Sequence, residues 1–527
     1  MSYTREVEPE VPLSTTPALG TSGSSDLEPA ALLAHRFSRL ARQLCSFPAA
    51  LASLLMLTVF VTARDGLADP DIWWHLRNAE YLLGNLRLPR FDTFSFTVIG
   101  HPWMNHEWLA EIPYYLAWRE FGLLGIKMVS LVLLESIFLG LLYLCWKISG
   151  NVKASAVVCV FAVMMGSVSF GPRTLLFGYD YLLVLLIVLE RFRSQGKAPL
   201  WVVPPLFCLW INTHGSWSLG IIAFGIVIAG GFVEGRWGRL EAKRWSPSQL
   251  RRLAAALAAS VGALFVNPYG YHLVLYPFDL AFRQRLNVAH VAEWVSVDFH
   301  DARGKLALIL IVVLLVGALL SNHQWKLHEL ALVLFGLYSG LTYIRFLFLV
   351  AIFAAPLLAK FLDFIPPYRP EIDKPLANAM IMATVLGFLI GGVPTTAGLE
   401  RSVEHDYPAE VLPYLQAHPL RGRMLNYYLW GGYLEWNKRD IPVFVDSRVD
   451  IFEYAGVFRD YIDLLGLQHP EAILSKYNIR YVLFPPNEAL TYVLRHDPRW
   501  QEVYTGKISV IFERSGSLDP PAMEGSR

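Results

Sequence analysis

Apolar and polar positions fall in long blocks along the chain. From Phe47 onward, runs of roughly 18 residues with few charges recur, the length an α-helix needs to cross a hydrocarbon core. The pattern predicts eleven spans, at 47–63, 121–145, 154–170, 174–190, 199–213, 215–233, 252–267, 304–321, 328–344, 345–362 and 376–394. Lys and Arg on the connections set the orientation. Lys147 and Lys153, then Arg191, Arg193 and Lys197, the Arg236–Arg252 segment, Lys326, and Arg369 with Lys374 all fall on one side, which the positive-inside rule makes cytoplasmic. His35, Arg36, Arg39 and Arg42 precede the first span, so the N-terminus is expected in the cytoplasm and the C-terminal region outside.

Two stretches depart from the block pattern. Residues 64–120 form a long external loop between the first two spans. Within it, Trp73–Leu83 and Glu107–Trp118 have helical spacing with aromatic faces, suited to helices lying in the membrane interface, and Asp92–Thr97 alternates like a short extended segment. From Leu399 to residue 515, helical patterns at 408–417, 451–466 and 470–477 alternate with β-branched and aromatic runs at 443–445, 481–484 and 508–512. That alternation predicts an α/β domain outside the membrane, large enough for its own core. Residues 1–34 and 516–527 read as disordered polar tails. The first apolar run begins too late for a cleavable signal and reads as a signal anchor, so 35–398 make up the membrane domain.

Composition agrees with this layout. The chain has 527 residues, 54% hydrophobic and 17% charged, with a mean hydropathy of +0.39. These values exclude an ordinary soluble protein and imply a polytopic α-helical membrane protein whose first partner is the lipid bilayer. A net charge of +1, with no basic aromatic patch, excludes a nucleic-acid partner. Four cysteines in or beside the spans give neither a disulfide framework nor zinc spacing. No glycine-rich nucleotide loop is present.

The candidate chemistry begins directly after the first span, at Ala68-Asp69-Pro70-Asp71-Ile72-Trp73-Trp74-His75-Leu76. Pro70 fixes its own φ and pushes Asp69 towards an extended conformation, so the first carboxylate is held at a set angle. Either Asp69 or Asp71 can act as a general base at the membrane boundary, where partial burial raises a carboxyl pKa. The plainer alternative is that Asp71 caps a helix starting at Ile72 while Asp69 is solvated. Trp73 and Trp74 suit the headgroup level.

Trp103-Met104-Asn105-His106-Glu107-Trp108 forms a second cluster, in which Asn105, His106 and Glu107 complete an acidic site, contact a phosphate or bind a divalent ion. Asp71 and His75 stand four apart on one helix face, a spacing compatible with metal ligation or with a hydrogen-bonded pair. Glu111 shares a face with Glu107 and is expected to be solvated. His214, in Asn212-Thr213-His214-Gly215, contacts an anionic head group or marks a turn hinged at Gly215. Arg345, between two apolar spans, calls for a phosphate, a salt bridge or an exit to the surface. Trp430-Gly431-Gly432-Tyr433 and Asp446-Ser447-Arg448 face an acceptor or mark element ends in a packed domain.

With the first span, the acidic loop around Asp69-Pro70-Asp71, two interfacial helices, a many-span bundle and a terminal α/β domain, the chain resembles the GT-C glycosyltransferases. These include protein O-mannosyltransferases, the aminoarabinose transferase of lipid A and the oligosaccharyltransferase catalytic subunit. The stretch Asp69–Leu76 with Trp103–Leu109 is also similar to a group of bacterial proteins of this type. The resemblance implies a fold of about eleven spans, a polyprenyl-phosphate-linked sugar donor, an extracytoplasmic acceptor (glycan, lipid or protein) and a bacterial inner-membrane location. It makes Asp69 or Asp71 the catalytic base, with Glu107 beside it. Arg345 and His214 become donor-phosphate contacts, with Trp73, Trp74, His75, Asn105 and His106 as further substrate contacts. The family's adjacent acidic pair is here split by Pro70, and the Trp-Trp-Asp-Tyr-Gly motif of oligosaccharyltransferases is absent. A membrane transporter and a non-catalytic scaffold on the same fold are the rival readings. The few charges inside the spans and the lack of an inverted repeat weigh against the transporter.

Overall fold

The computed structural model describes residues 44–321 and 323–515. Both expected tails and the basic residues His35 to Arg42 lie outside the described residues. A helix occupies every apolar stretch. The first, α1, is Phe47–Ala63, and the later ones include Val152–Gly166, Leu175–Gln195, Val203–Thr213, Ala302–Leu320 and Leu347–Phe361. By length and composition, three of the described helices can each cross a membrane: Trp108–Ser149, Ala302–Leu320 and Ile344–Phe361. The bent pair Pro375–Gly391 and Thr396–Asp406 adds a fourth if it is one span. Phe47–Ala63, Val152–Gly166, Leu200–Thr213, Trp217–Ala229 and Leu327–Thr342 are apolar but shorter.

The stretch 64–120, called the external loop from its expected place, is built on two helices. Helix α2 runs Asp71–Asn85, and α3 runs Trp108–Ser149 for 42 residues. The loop and the second apolar stretch were expected to separate near residue 120. Instead α3 is continuous in hydrogen bonding but broken at Gly122, whose φ of 60° and ψ of −141° favour glycine. Lys127, fully buried beyond that break, donates from Nζ to Ala63 O at 2.9 Å and so satisfies an orphan carbonyl at the end of α1.

The N-terminal half of helix α2 packs against protein. Ile72, Trp73 and Leu76 pack with Tyr407, Trp430, Tyr433 and Leu434 in one core shared with the C-terminal part of the chain. Trp73 is 3% exposed and meets Tyr407 and Tyr433 edge-on at 5.4 and 5.0 Å, so it serves packing rather than headgroup anchoring, while Tyr81 further along the helix stays exposed.

The C-terminal part folds around a four-stranded sheet. In chain order the strands are a small peripheral set, β1 (Gly235–Trp237), β2 (Leu240–Ala242) and β3 (Trp325–Lys326), then β4 (Arg423–Asn426), β5 (Ile479–Phe484), β6 (Trp500–Thr505) and β7 (Val510–Arg514). The C-terminal sheet has the order β4-β5-β7-β6, with β4 parallel to β5 and the other pairs antiparallel. The run 443–445 is not a strand of this sheet. Val443, Phe444 and Val445 are fully buried, and Val443 bridges in parallel to Ser95 of the external loop. The stretch expected as one helix at 451–466 is two, Val449–Tyr454 and Val457–Leu465, parted at Gly456 with φ 75°.

The helix Gly431–Asn437 clamps the loop to this part. A Cβ on Gly431 would stand 2.2 Å from Val445 O and 2.6 Å from Asp446 Cα, while Gly432 lies against Pro70 O and Trp74. Trp430-Gly431-Gly432-Tyr433 is therefore a close-approach motif. Gly431→Ala is expected to cost about 1–3 kcal/mol, because the obstructing atoms are backbone. Gly84→Ala in α2, where nothing lies within 4 Å, is expected to be neutral or to stabilise by up to about 1 kcal/mol. Thermal unfolding of the two variants in detergent gives the comparison.

Candidate active site

At the start of α2 the two aspartates part company. Asp69 Oδ1 accepts the Asp71 backbone N–H at 3.0 Å, and Asp69 Oδ2 lies 2.8 Å from Arg173 Nε. It is Asp69, two residues back, that satisfies the first free N–H, as an aspartate turn does. Asp71 is the first residue of the helix and its side chain caps nothing. Asp69 is 2% exposed. Burial pushes its carboxyl up to about 7 against the pull of Arg173, with Asp71 and Glu293 adding to the rise.

Asp71 faces a cavity of about 350 Å³ between the external loop, the bundle and the C-terminal part. His106, Glu107, His214 and Arg345 line the same cavity, together with Glu293, Tyr276, Arg448 and Asp450. Trp74 also lines it, and its Nε1 is shared between Asp71 Oδ1 at 3.1 Å and Ser447 Oγ at 3.0 Å. Trp73 does not reach the cavity. His75 and Asn105 stand behind the wall: Asn105 donates from Nδ2 to Glu111 Oε2 at 2.8 Å, and its Oδ1 accepts the Glu107 N–H at 3.2 Å. Glu111, expected to be solvated, is fully buried because α3 turns this face inward on to α2.

Three imidazoles surround Glu107. Its Oε1 lies 3.3 Å from His214 Nε2 and 3.6 Å from His106 Nε2, and its Oε2 lies 3.3 Å from His75 Nε2. Burial pushes the Glu107 carboxyl well up, with the charge of Asp71 adding to it. Burial pushes His75 down to about 4, His106 down to about 3 and His214 well down.

The cations differ in how fully they are paired. Arg173 is held by Asp69 and Glu293. Arg448, 3% exposed, is held by Asp446, by Asp92 Oδ1 at 2.9 Å and by Glu435 at 3.5 Å. Arg345 has one carboxylate, Glu293, at 4.0 Å, and stacks over Trp294 at 4.4 Å. Among the described residues its Nε, like Arg448 Nη1, is buried with no hydrogen-bond partner. Arg173, Glu293 and Asp450 were not expected at the site. The lone Arg173 on an otherwise Arg-poor external connection was the one available signal.

Among the described residues no group of three or more His, Cys, Asp or Glu is arranged to hold a metal ion. The Asp71/His75 pair diverges, since both His75 nitrogens face glutamates while Asp71 faces Trp74.

No protein-family model matches the chain, and no curated protein matches it. Solved structures do. An oligosaccharyltransferase from Archaeoglobus fulgidus, tethered to an acceptor peptide containing the NVT sequon, superposes with a TM-score of 0.51 at 13% identity, over 83% of this chain and 69% of that one. ArnT from Cupriavidus metallidurans, bound to undecaprenyl phosphate, superposes with a TM-score of 0.50 at 14% identity, over 90% of this chain and 98% of that one. Both are GT-C glycosyltransferases. At such identities the likeness is one of architecture, and the chain has the fold of the GT-C membrane glycosyltransferases.

Proposed function

We propose that this protein is a membrane glycosyltransferase that moves a sugar from a polyprenyl-phosphate-linked donor to an acceptor on the outer face. One observation carries the reading. Asp71 and Arg345, 274 positions apart in the chain, face one cavity, and among the described residues that guanidinium has a single carboxylate within reach, Glu293 at 4.0 Å, whereas Arg448 beside it is held by three. The undecaprenyl phosphate on one structural neighbour and the acceptor peptide on the other support the same classes of ligand here. In this reading the eleven spans expected from the sequence cross the bacterial inner membrane with the N-terminus cytoplasmic, and the α/β part lies outside.

The chemistry follows from the geometry. The donor phosphate sits against Arg345, whose stacking on Trp294 leaves its N–H edge for the phosphate oxygens. His214 and His106 flank it. Asp71 takes the proton from the acceptor hydroxyl or amine as that atom attacks the anomeric carbon. The bond from that carbon to the phosphate oxygen breaks, its electron pair stays on the phosphate, and configuration inverts. Arg345 stabilises the charge that develops there. Asp69 positions Asp71 through its backbone N–H and is itself held by Arg173.

The test is transfer from radiolabelled polyprenyl-phosphate sugars to acceptors in a membrane extract from the protein's own source. Arg345→Ala is expected to lower transfer by about 10²–10³-fold. Arg345→Lys should recover only part, because an ammonium lacks the planar fork. Wild-type rates in Arg345→Ala would remove the cavity as the donor site. No transfer by the wild type with any donor would favour the scaffold.

A further inference from the structure

From Glu107 on the cavity wall inward, three buried groups stand in line. His75 Nδ1 is 2.9 Å from Glu111 Oε1, and its Nε2 is 3.3 Å from Glu107 Oε2. A neutral imidazole donates from one nitrogen and accepts on the other. With a carboxyl on each side, either one glutamate keeps a proton or the imidazole carries two between a pair of carboxylates. Each arrangement holds the same two protons and one net negative charge.

The surrounding bonds choose among them. Glu111 receives the Asn105 amide N–H on Oε2, so with the His75 Nδ1–H on Oε1 it is the one that accepts twice. The Ser216 backbone N–H donates to His214 Nδ1 at 2.9 Å, which leaves the proton of a neutral His214 on Nε2, pointing at Glu107 Oε1. Glu107 then has Oε2 free to donate to His75 Nε2. Burial gives His75 and His214 low proton affinity, in agreement with neutral rings, and it raises both carboxyls, Glu107 well up and Glu111 to about 8, so the hydrogen bonds and not burial select Glu111 as the ionised one. Asp71, His106, His214, Arg345, Tyr276 and the Thr174 hydroxyl are the other groups acting on Glu107, and Arg448, Tyr269 and Asn78 those acting on Glu111.

We propose that Glu107 is the proton donor to the leaving phosphate, and that Glu111, acting through His75, is the positioning residue that keeps this proton on Glu107. This rests on the transferase reading and closes its proton balance. As the anomeric carbon–oxygen bond breaks, the Glu107 carboxyl turns its proton from His75 to the phosphate oxygen on the cavity side, while Asp71 takes the acceptor's proton. Asp71 then returns that proton to Glu107, whose carboxylate would otherwise stand beside ionised Glu111 in a buried site. The net result moves the acceptor's proton to the phosphate.

The first measurement needs no turnover. Infrared difference spectra of the purified protein, taken across a pH titration, are expected to show a protonated carboxyl at neutral pH that Glu107→Gln removes. Glu111→Gln keeps the shape and the hydrogen bond to His75 but deletes a neighbouring negative charge. It is expected to lower the pH midpoint of that band by roughly one unit. In a His75→Gln background the Glu111→Gln shift should shrink to its through-space part, because the hydrogen-bonded bridge is gone while the charge deletion remains. The high-pH limb of the transfer rate should move down with the band in Glu111→Gln, with the donor KM unchanged. No protonated carboxyl lost in Glu107→Gln, or a midpoint indifferent to Glu111→Gln, overturns the proposal. If the infrared shifts appear in a protein that transfers nothing, the proton bridge stands, while the donor role fails together with the transferase reading.

Discussion

Replacing Asp71 by Asn is expected to leave the protein folded and to lower sugar transfer by about 10²–10⁴-fold, the range for loss of a positioned general base. The amide has the same shape, so the contact with Trp74 Nε1 and the wall of the cavity survive. What disappears is the capacity to take the acceptor's proton. Asp69→Asn makes the contrast. Asp69 is buried and holds Arg173 at 2.8 Å, and it meets Asp71 only through a backbone N–H. Its amide can still accept that N–H but leaves Arg173 less compensated. Asp69→Asn is therefore expected to reduce thermal stability as well as activity, whereas Asp71→Asn reduces activity alone. Thermal unfolding and transfer rates measured on the same preparations separate the two. Equal loss of transfer without loss of stability in both variants would reassign the base.

The second large effect is expected at Arg448. This side chain is 3% exposed and joins Asp92 of the external loop to Asp446 and Glu435 of the C-terminal part. Replacing it with Met leaves buried carboxyls without their cation, a change that costs about 3–5 kcal/mol. Arg448→Lys should restore little, because a single ammonium cannot meet both oxygens of Asp446 and reach Asp92 as well. Asp92→Asn in the Met background should recover part of the loss. The cluster also sets a pH dependence. Burial works against the Asp446 carboxylate, but Arg448 and its hydrogen bonds hold the carboxyl below its ordinary value of 3.8. A lowered carboxyl pKa stabilises the fold fully above that value, and the contribution is lost as pH falls through the folded pKa. Acid unfolding that is no earlier in Arg448→Met than in the wild type would show that the cluster contributes no stability.

What was legible in the sequence follows from what is local. Hydrophobicity over a window of one helix length is a property of the window itself, so the helices could be placed from residue order alone. The loop motifs 69–76 and 103–109 stood out in the same way, as polar and aromatic clusters at the ends of apolar runs. Short strands were less readable. Strand β4, Arg-Met-Leu-Asn, is too short to show a period. In β6 only Trp500 is fully buried, so no alternation points inward. The run 443–445 looks like a strand because all three residues are apolar, yet its burial comes from the external loop on one side and the sheet on the other.

The sequence by itself pointed to a helical membrane protein with an acidic loop at 64–120 and a mixed C-terminal part, and it offered two aspartates as candidates for a base. Only the tertiary structure separated their surroundings, because residues two apart in the chain part company once Asp69 turns to Arg173 and Asp71 to the cavity, and the proposal of Asp71 as the base rests on that difference. Tertiary contacts also joined Arg345 to the loop, buried Glu111 behind His75, and made Trp73 a core residue. Each of these depends on which distant side chain removes water from a group, and burial of that kind is set by long-range packing that no local pattern encodes.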